Sequence, residues 1–224
     1  KLARERDERL ASLTLLAAET DFDEPGELSL FIDDAQVTWL EDMMWDQGFL
    51  SGRQMGGTFM LLHSKDLVWS RNVRAYLMGL EDGLNDLMAW NADTTRMPAR
   101  MHSEYLRSLY LNNELARGTY RVDGKPIVLG DIDVPMFVVG TLKDHVSPWK
   151  SVYRVHLLTE AEITFALTSG GHNAGIVSEP GHAGRSFQIA TRPAHGKYVD
   201  PDSWVAAAPR QDGSWWTACA QWQA

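Results

Sequence analysis

Two ionisable side chains stand out because each follows an apolar run typical of a buried strand. The run at residues 134–139 is followed by Asp144, and the alternating run at residues 162–168 is followed by His172. Asp and His are the residue types that orient an imidazole and move a proton in nucleophile triads. The alternative is that they are two ordinary loop residues on a solvated edge, since a fold does not determine a function.

The segment between the two runs predicts a helix that brings the chain back to the same edge of the sheet. Ser147 is expected as its N-cap and Pro148 as its first residue. The apolar or aromatic positions that then share one helical face are Trp149, Val152, Tyr153, His156 and Leu157. Strands joined by such a crossover are parallel, so both deliver their ends to one edge. We therefore expect Asp144 and His172 to meet where open α/β sheets bind ligands.

The rest of the chain predicts an α/β fold in which a helical cap interrupts a parallel sheet. We expect a sheet strand at residues 12–17 after the end of a core helix, a cap at residues 23–125, and the remaining core at residues 126–224. Within the cap, Asp33-Asp34 predicts a helix start, and Asp123-Gly124 predicts a hairpin. The Trp-rich tail is expected to close the core as a helix. Three strands are few for such a sheet, so others are either unrecognised or precede residue 1.

The composition is that of a globular protein and makes several functions unexpected. Of the 224 residues, 44% are hydrophobic and 23% are charged. We see no membrane-spanning run and no signal peptide, so a cytoplasmic location is expected. The net charge of −9 argues against nucleic acid as a partner. A single cysteine, Cys219, excludes an intrachain disulfide, and the seven histidines lack metal-ligand spacing.

Short stretches along nearly the whole chain resemble one known family when they are taken together. The stretches are Leu13 to Phe22, Pro25 to Leu28, Trp90 to Asp93 with Pro98, Tyr105 to Arg107 with Tyr110-Leu111, Gly140 with Asp144-His145, Pro148-Trp149, Gly171 to Gly175, and Gly213 to Trp216. In this order and spacing they resemble the poly(3-hydroxyalkanoate) synthases, or polymerases. These are α/β-hydrolase proteins that polymerise 3-hydroxyacyl-CoA.

The resemblance also implies that a catalytic residue lies outside the chain. The family nucleophile is a cysteine in a Gly-x-Cys-x-Gly elbow, which here would precede Lys1; neither this elbow nor Gly-x-Ser-x-Gly occurs in the sequence. Cys219 follows the His in the tail without a glycine elbow, so we expect an inert, partly buried thiol. The chain is thus expected to be the C-terminal portion of a synthase, inactive alone because it lacks the thiol and the oxyanion hole.

The family's site residues carry over to positions that match its motifs. By resemblance, His172 would take the proton from the cysteine thiol, and Asp144 would orient the imidazole or help to activate the 3-hydroxyl of the incoming monomer. His145 would support the site beside Asp144. The residues expected near the substrate pocket are Trp90, Asn91, Tyr105 and Asn173. No cofactor is implied beyond the CoA thioester substrate, and no metal.

The implied partners are 3-hydroxyacyl-CoA, the growing polymer, a second copy bound through the cap, and the surface of a cytoplasmic polymer granule. Two other functions remain open. A capped esterase or lipase of the same fold would fit the Asp and His strands equally well. A non-catalytic module could use its nine Trp and nine Met residues to dimerise or to cover a granule.

Overall fold

A computed structural model describes residues 1–62, 69–70, 72–80, 83 and 86–224. The remaining positions of the predicted cap lie outside the described residues. The chain divides into two compact units, one formed by Lys1–Ser29 with Ser108–Ala224 and the other by Leu30–Arg107. The first unit holds the main sheet and the second is helical. The predicted domain limits at residues 22 and 125 stay a prediction.

The elements are numbered in chain order. The strands are β1 (Leu13–Leu16), β2 (Phe49–Leu50), β3 (Met97–Pro98), β4 (Arg121–Val122), β5 (Lys125–Pro126), β6 (Met136–Thr141), β7 (Ile163–Thr168), β8 (Ser186–Arg192) and β9 (Arg210–Asp212). The α-helices are α1 (Asp34–Met44), α2 (Gly52–Leu62), α3 (Asp86–Ala92), α4 (Ala99–Tyr105), α5 (Trp149–Tyr153), α6 (His172–Ile176), α7 (Pro201–Ala207) and α8 (Trp215–Gln223). Shorter 3-10 or π turns lie at Gly26–Phe31, Val73–Leu77, Leu106–Leu111, Leu129–Asp131 and Arg154–Leu157.

The main sheet is mixed rather than parallel throughout. Its order is β1-β6-β7-β8-β9, with β1, β6 and β7 parallel and with β8 and β9 antiparallel to their neighbours. The three predicted strands are confirmed, and the two antiparallel ones were missed. The apolar residues of β8, such as Phe187 and Ile189, alternate with polar ones, but the Gly- and Pro-rich segment before the strand obscured this pattern.

Every residue of β6 and β7 is buried, because layers of side chains cover both faces of the sheet. On one face, the ring centroid of Phe165 lies 5.0 Å from that of Trp204, a residue of α7. On the other face, the ring centroid of Phe137 lies 6.3 Å from that of Trp215, a residue of α8. The prediction that the Trp-rich tail closes the core is confirmed, although two helices do so rather than one.

The crossover from β6 to β7 begins one residue later than predicted. Pro148, not Ser147, occupies the N-cap position of α5, and its side chain makes no capping hydrogen bond. The backbone N–H of Ser147 donates a hydrogen bond to Oδ1 of Asp144, so Ser147 belongs to the loop of the site and not to the helix cap. The crossover then continues as a 3-10 turn over Arg154–Leu157.

Local signals predicted two further elements well and one badly. Asp33 caps α1 by accepting a hydrogen bond from the N–H of Gln36. Asp123 and Gly124 both have positive φ, 53° and 73°, and form the two-residue turn between β4 and β5. The predicted helix end at the start of the chain is wrong, because residues 2–6 form turns in which Arg6 has a φ of 51°. None of the described helices combines the length and apolar character needed to cross a bilayer.

Candidate active site

Asp144 and His172 meet at the C-terminal edge of β6 and β7, as expected. Asp144 follows β6, and His172 is the first residue of α6, which follows β7. The Nδ1 atom of His172 lies 2.8 Å from Oδ2 of Asp144 and 3.1 Å from Oδ1. The Asp144 side chain is fully buried, whereas that of His172 is 32% exposed. One partner is therefore fixed in the protein and the other faces solvent.

The Asp144 carboxylate is held by neighbours on its own loop. Its Oδ2 accepts a hydrogen bond of 2.8 Å from Oγ1 of Thr141, and its Oδ1 accepts bonds of 2.9 and 2.8 Å from the N–H groups of Val146 and Ser147. Burial alone would raise the pKa of Asp144, but the hydrogen bonds from His172, Ser147 and Thr141 outweigh it and lower the pKa below its usual value. Asp144 is therefore an anion at neutral pH.

An ionised Asp144 determines which nitrogen of His172 carries the proton. A carboxylate only accepts hydrogen bonds, so Nδ1 of the imidazole must donate. The Nε2 atom then carries the lone pair of the neutral ring. This arrangement lets an imidazole take up a proton at Nε2 while the anion stabilises the resulting cation. The pair can therefore act as a general base.

Two glycines allow the loop that carries His172 to lie close to β6. Gly170 has a φ of +112°, which favours glycine, and its carbonyl accepts from the N–H of Lys143 at 2.8 Å. A Cβ on Gly175 would lie 2.7 Å from Cγ2 of Thr141. The sequence analysis missed Thr141. The sequence shows only that Thr141 lies three residues before Asp144. The fold of the loop is what brings the Thr141 hydroxyl to the Asp144 carboxylate.

A cavity of about 550 Å³ opens beside Asp144. One wall is the chain after β1, including Asp23 and Pro25, and the other is the start of α5, including Trp149 and Lys150. The two walls approach closely at Gly26, which has no side chain. A Cβ there would lie 2.6 Å from Cγ of Pro148. Asp144 thus borders, as a residue, a space large enough for a small organic ligand.

Glu19 is a second acid near this edge, and its carboxyl group is buried. It is not among the site residues predicted from the sequence. Neither carboxyl oxygen has a hydrogen-bond partner among the described residues, and both are buried. Burial raises the pKa of Glu19 to about 8, and repulsion from Asp144 and Asp21 adds to the effect. Because β1 is parallel to β6, its end reaches the same edge. A parallel β1 would place the residues after it at the same edge as Asp144 and His172, so the position of Glu19 follows from the same rule.

The other predicted site residues lie in both units. His145 and Asn173 directly follow Asp144 and His172 and are half-buried. Trp90 and Asn91 belong to α3 and are exposed, and Tyr105 ends α4; all three lie in the unit Leu30–Arg107. Their predicted place near the pocket stays a prediction.

Cys219 is buried on α8 in the cluster around Phe137, and burial raises the pKa of its thiol, which disfavours the reactive thiolate. The expectation of a buried thiol is confirmed. Within the described residues there is no group of three or more His, Cys, Asp or Glu side chains arranged to hold a metal ion.

Comparisons with known proteins identify the family. No protein-family model matches the chain. It is 37% identical over 98% of its length to the poly(3-hydroxyalkanoate) polymerase subunit PhaC of Rhizobium meliloti and 38% identical over 96% to the poly(3-hydroxyalkanoate) polymerase of Methylorubrum extorquens. It is 35% identical over its whole length to the subunit PhaC of Cupriavidus necator. The chain spans 35%, 35% and 38% of these relatives, respectively. These matches show that the chain is homologous to part of the poly(3-hydroxyalkanoate) polymerases.

Proposed function

We propose that this chain is the C-terminal portion of a poly(3-hydroxyalkanoate) polymerase and supplies the Asp and His of a Cys-His-Asp acyltransferase site. The observation that carries the proposal is the 2.8 Å contact between Nδ1 of His172 and the buried Asp144 carboxylate. The similarity to named polymerases supports the substrate class that we propose, an (R)-3-hydroxyacyl-CoA thioester.

The first half-reaction would form an acyl-enzyme. Nε2 of His172 takes the proton from the cysteine thiol, and the thiolate attacks the thioester carbonyl. When the tetrahedral intermediate collapses, the bond to the CoA sulfur breaks. The imidazolium returns its proton to that sulfur, so CoA leaves as a thiol. Asp144 stabilises the imidazolium while it exists.

The second half-reaction would extend the polymer. The imidazole, held by Asp144, removes the proton from the 3-hydroxyl of another acyl group, and the alkoxide attacks the enzyme thioester. An ester bond forms as the bond to the cysteine sulfur breaks, and the thiolate recovers the proton. The cavity beside Asp144 is the space that we assign to the incoming hydroxyacyl chain.

The fold that we propose for the complete protein is an α/β-hydrolase with an inserted cap. The acid after one parallel strand and the histidine after the next follow the chain order of that fold. Within the described residues, β1 pairs only with β6, so its outer edge is available to a further strand. We place the strand and elbow of the nucleophile on that side.

The expected partners follow from the family. We propose a cytoplasmic protein that dimerises through the cap and works at the surface of a polymer granule. Exposed aromatic side chains in the unit Leu30–Arg107, such as Trp39, Trp45 and Tyr76, support an apolar contact of that kind. Their exposed fractions are 60%, 87% and 90%.

The decisive experiment measures CoA release and polymer formation from (R)-3-hydroxybutyryl-CoA by the complete protein that contains this chain. His172→Ala is expected to lower the rate by on the order of a thousandfold or more. The matched control is His195→Ala, because His195 is 83% exposed and lies away from the pair. The 224-residue chain alone is expected to release no CoA. Equal rates in the His172 and His195 variants would refute the proposed site.

A capped esterase or lipase is the second candidate, because the same Asp144–His172 pair would serve hydrolysis equally well. The product separates the two functions. A polymerase passes the acyl group to a 3-hydroxyl and yields polymer with CoA, whereas an esterase passes it to water and yields the free acid. A third outcome, binding to apolar beads that survives His172→Ala without CoA release from the complete protein, would indicate a non-catalytic module.

A further inference from the structure

Glu19 is a half-buried residue with a buried carboxyl group that the proposed reaction does not use. It lies three residues beyond the end of β1, and both of its carboxyl oxygens are shielded from solvent. Among the described residues nothing donates a hydrogen bond to either oxygen. Leaving a buried polar group unpaired costs free energy, and leaving a buried charge unpaired costs far more.

Two neighbouring acids add to the cost of a charge on Glu19. The acids that repel it are Asp144 and Asp21. Asp21 itself is paired with Arg154, whose Nε lies 2.7 Å from Oδ2 of Asp21. The amide of Asn113 also donates to Asp21, at 2.8 Å. Asp144 is an anion with four donors of its own, so Glu19 is the carboxyl of this group that retains its proton.

A protonated carboxyl can donate a hydrogen bond, which a carboxylate cannot do. Glu19 therefore offers one O–H donor at the sheet edge that also carries the catalytic pair. The same division between one ionised and one neutral acid recurs in sites where two carboxyls have different roles.

We propose that Glu19 is a positioning residue of the Asp144–His172 site, where its neutral carboxyl donates a hydrogen bond to a carbonyl or hydroxyl oxygen that reaches this edge from outside the described residues. This inference rests on the proposed function, since the oxygen belongs either to the hydroxyacyl substrate or to another part of the polymerase. In either case the donor fixes an oxygen close to the catalytic pair. Ionisation of Glu19 would remove the donor and add a second negative charge beside Asp144.

The protonation state has a direct spectroscopic test in the complete protein. The infrared difference between the wild type and Glu19→Gln at neutral pH is expected to show the C=O stretching band of a neutral carboxyl. The band should disappear as the pH rises through about 8, where Glu19 ionises. Glu8→Gln, which alters an exposed acid of the same unit, serves as the matched control and should not remove the band. The proposal is overturned if the Glu19→Gln difference contains only carboxylate bands at neutral pH.

The second test measures CoA release as a function of pH. Glu19→Leu is expected to lower the rate at neutral pH about tenfold, the rate equivalent of one lost hydrogen bond. Glu19→Gln keeps an N–H donor, so its rate at neutral pH should lie between those of Glu19→Leu and the wild type. In the wild type the rate should fall as Glu19 ionises above about pH 8, and the glutamine variant should not show this fall. A Glu19→Leu variant with the rate and pH profile of the wild type would overturn the proposal.

The kinetic parameters identify the owner of the oxygen. If it belongs to the substrate, Glu19→Leu raises KM and the melting temperature of the substrate-free protein does not fall, because an unpaired carboxyl has been removed. If it belongs to the protein, kcat and the melting temperature fall together. Failure of the proposed function is a separate result, because the wild type would then release no CoA although the infrared band could still be present.

Discussion

Thr141 touches both halves of the Asp144–His172 site. Its hydroxyl donates to Oδ2 of Asp144 at 2.8 Å, while its methyl group faces Gly175, where a Cβ would lie only 2.7 Å away. Gly175 belongs to α6, the helix that begins with His172. The side chain that orients the acid thus also fixes how closely the helix of the base can approach.

Gly175→Ala should therefore damage the site without altering any polar group. The added methyl group must displace Thr141 or move α6, and a misplacement of this size costs about ten- to a hundredfold in rate. CoA release by the complete protein measures the effect. Gly57→Ala is the control, because a Cβ at that helical position would meet no atom within 4 Å. Equal losses in both variants would contradict the close approach of Gly175 to Thr141.

Thr141→Val tests the hydroxyl of the same residue. Valine has nearly the same shape, so the packing against Gly175 is retained while Asp144 loses one donor. We expect the protein to lose about 1 kcal/mol of stability and the pKa of Asp144 to rise. Thr141→Ser, which keeps the hydroxyl, should release CoA in the complete protein faster than Thr141→Val does. A serine variant as impaired as the valine variant would show that the methyl group matters more than the hydrogen bond.

The lowered pKa of Asp144 predicts how stability depends on acid. A carboxyl whose pKa is lower in the folded state stabilises the fold at pH values above its unfolded value, 3.8, and this contribution is lost as the pH falls through the folded value. The difference in melting temperature between the wild type and Asp144→Asn should therefore shrink below about pH 4. Differential scanning calorimetry from pH 3 to pH 7 measures it. A difference that is constant over this range would contradict the assignment.

Arg154→Met tests the ion pair behind the site. The Asp21 side chain is 8% exposed and that of Arg154 26% exposed, so removing the cation leaves a nearly buried carboxylate without its counter-ion. We expect a loss of about 2 kcal/mol, less than for a fully buried pair because Arg154 reaches solvent. Arg9→Met is the control, because Arg9 is 83% exposed beside Asp7 and its loss should not be measurable. Adding Asp21→Asn to Arg154→Met should recover part of the stability.

The meeting of Asp144 and His172 could be predicted because it depends on simple rules. Two apolar runs separated by one helical segment imply a parallel crossover, and a parallel crossover brings both strand ends to one edge. The mixed sheet could not be predicted in the same way. β8 pairs antiparallel with β7, and that pairing depends on how the loop after α6 turns, which has no strong local signal.

Thr141 and Glu19 were missed for different reasons. The side chain of Thr141 is one of many buried threonines until the loop of Asp144 folds back over it. Glu19 follows a strand that the sequence did predict, but its interest comes from a carboxyl group with no hydrogen-bond partner among the described residues, which a sequence does not show. Roles that arise from tertiary neighbours leave no periodic pattern in a sequence.

The unequal anchoring of the pair determines which of its members can move. Asp144 is immobilised by three donors from its own loop, whereas His172 faces solvent on a short helix that follows two glycines. In the reaction that we propose, a small monomer and then a long chain would react at the same imidazole. Of the two side chains, the imidazole of His172 is therefore the one that has open space beside it, while the carboxylate of Asp144 is enclosed by the protein.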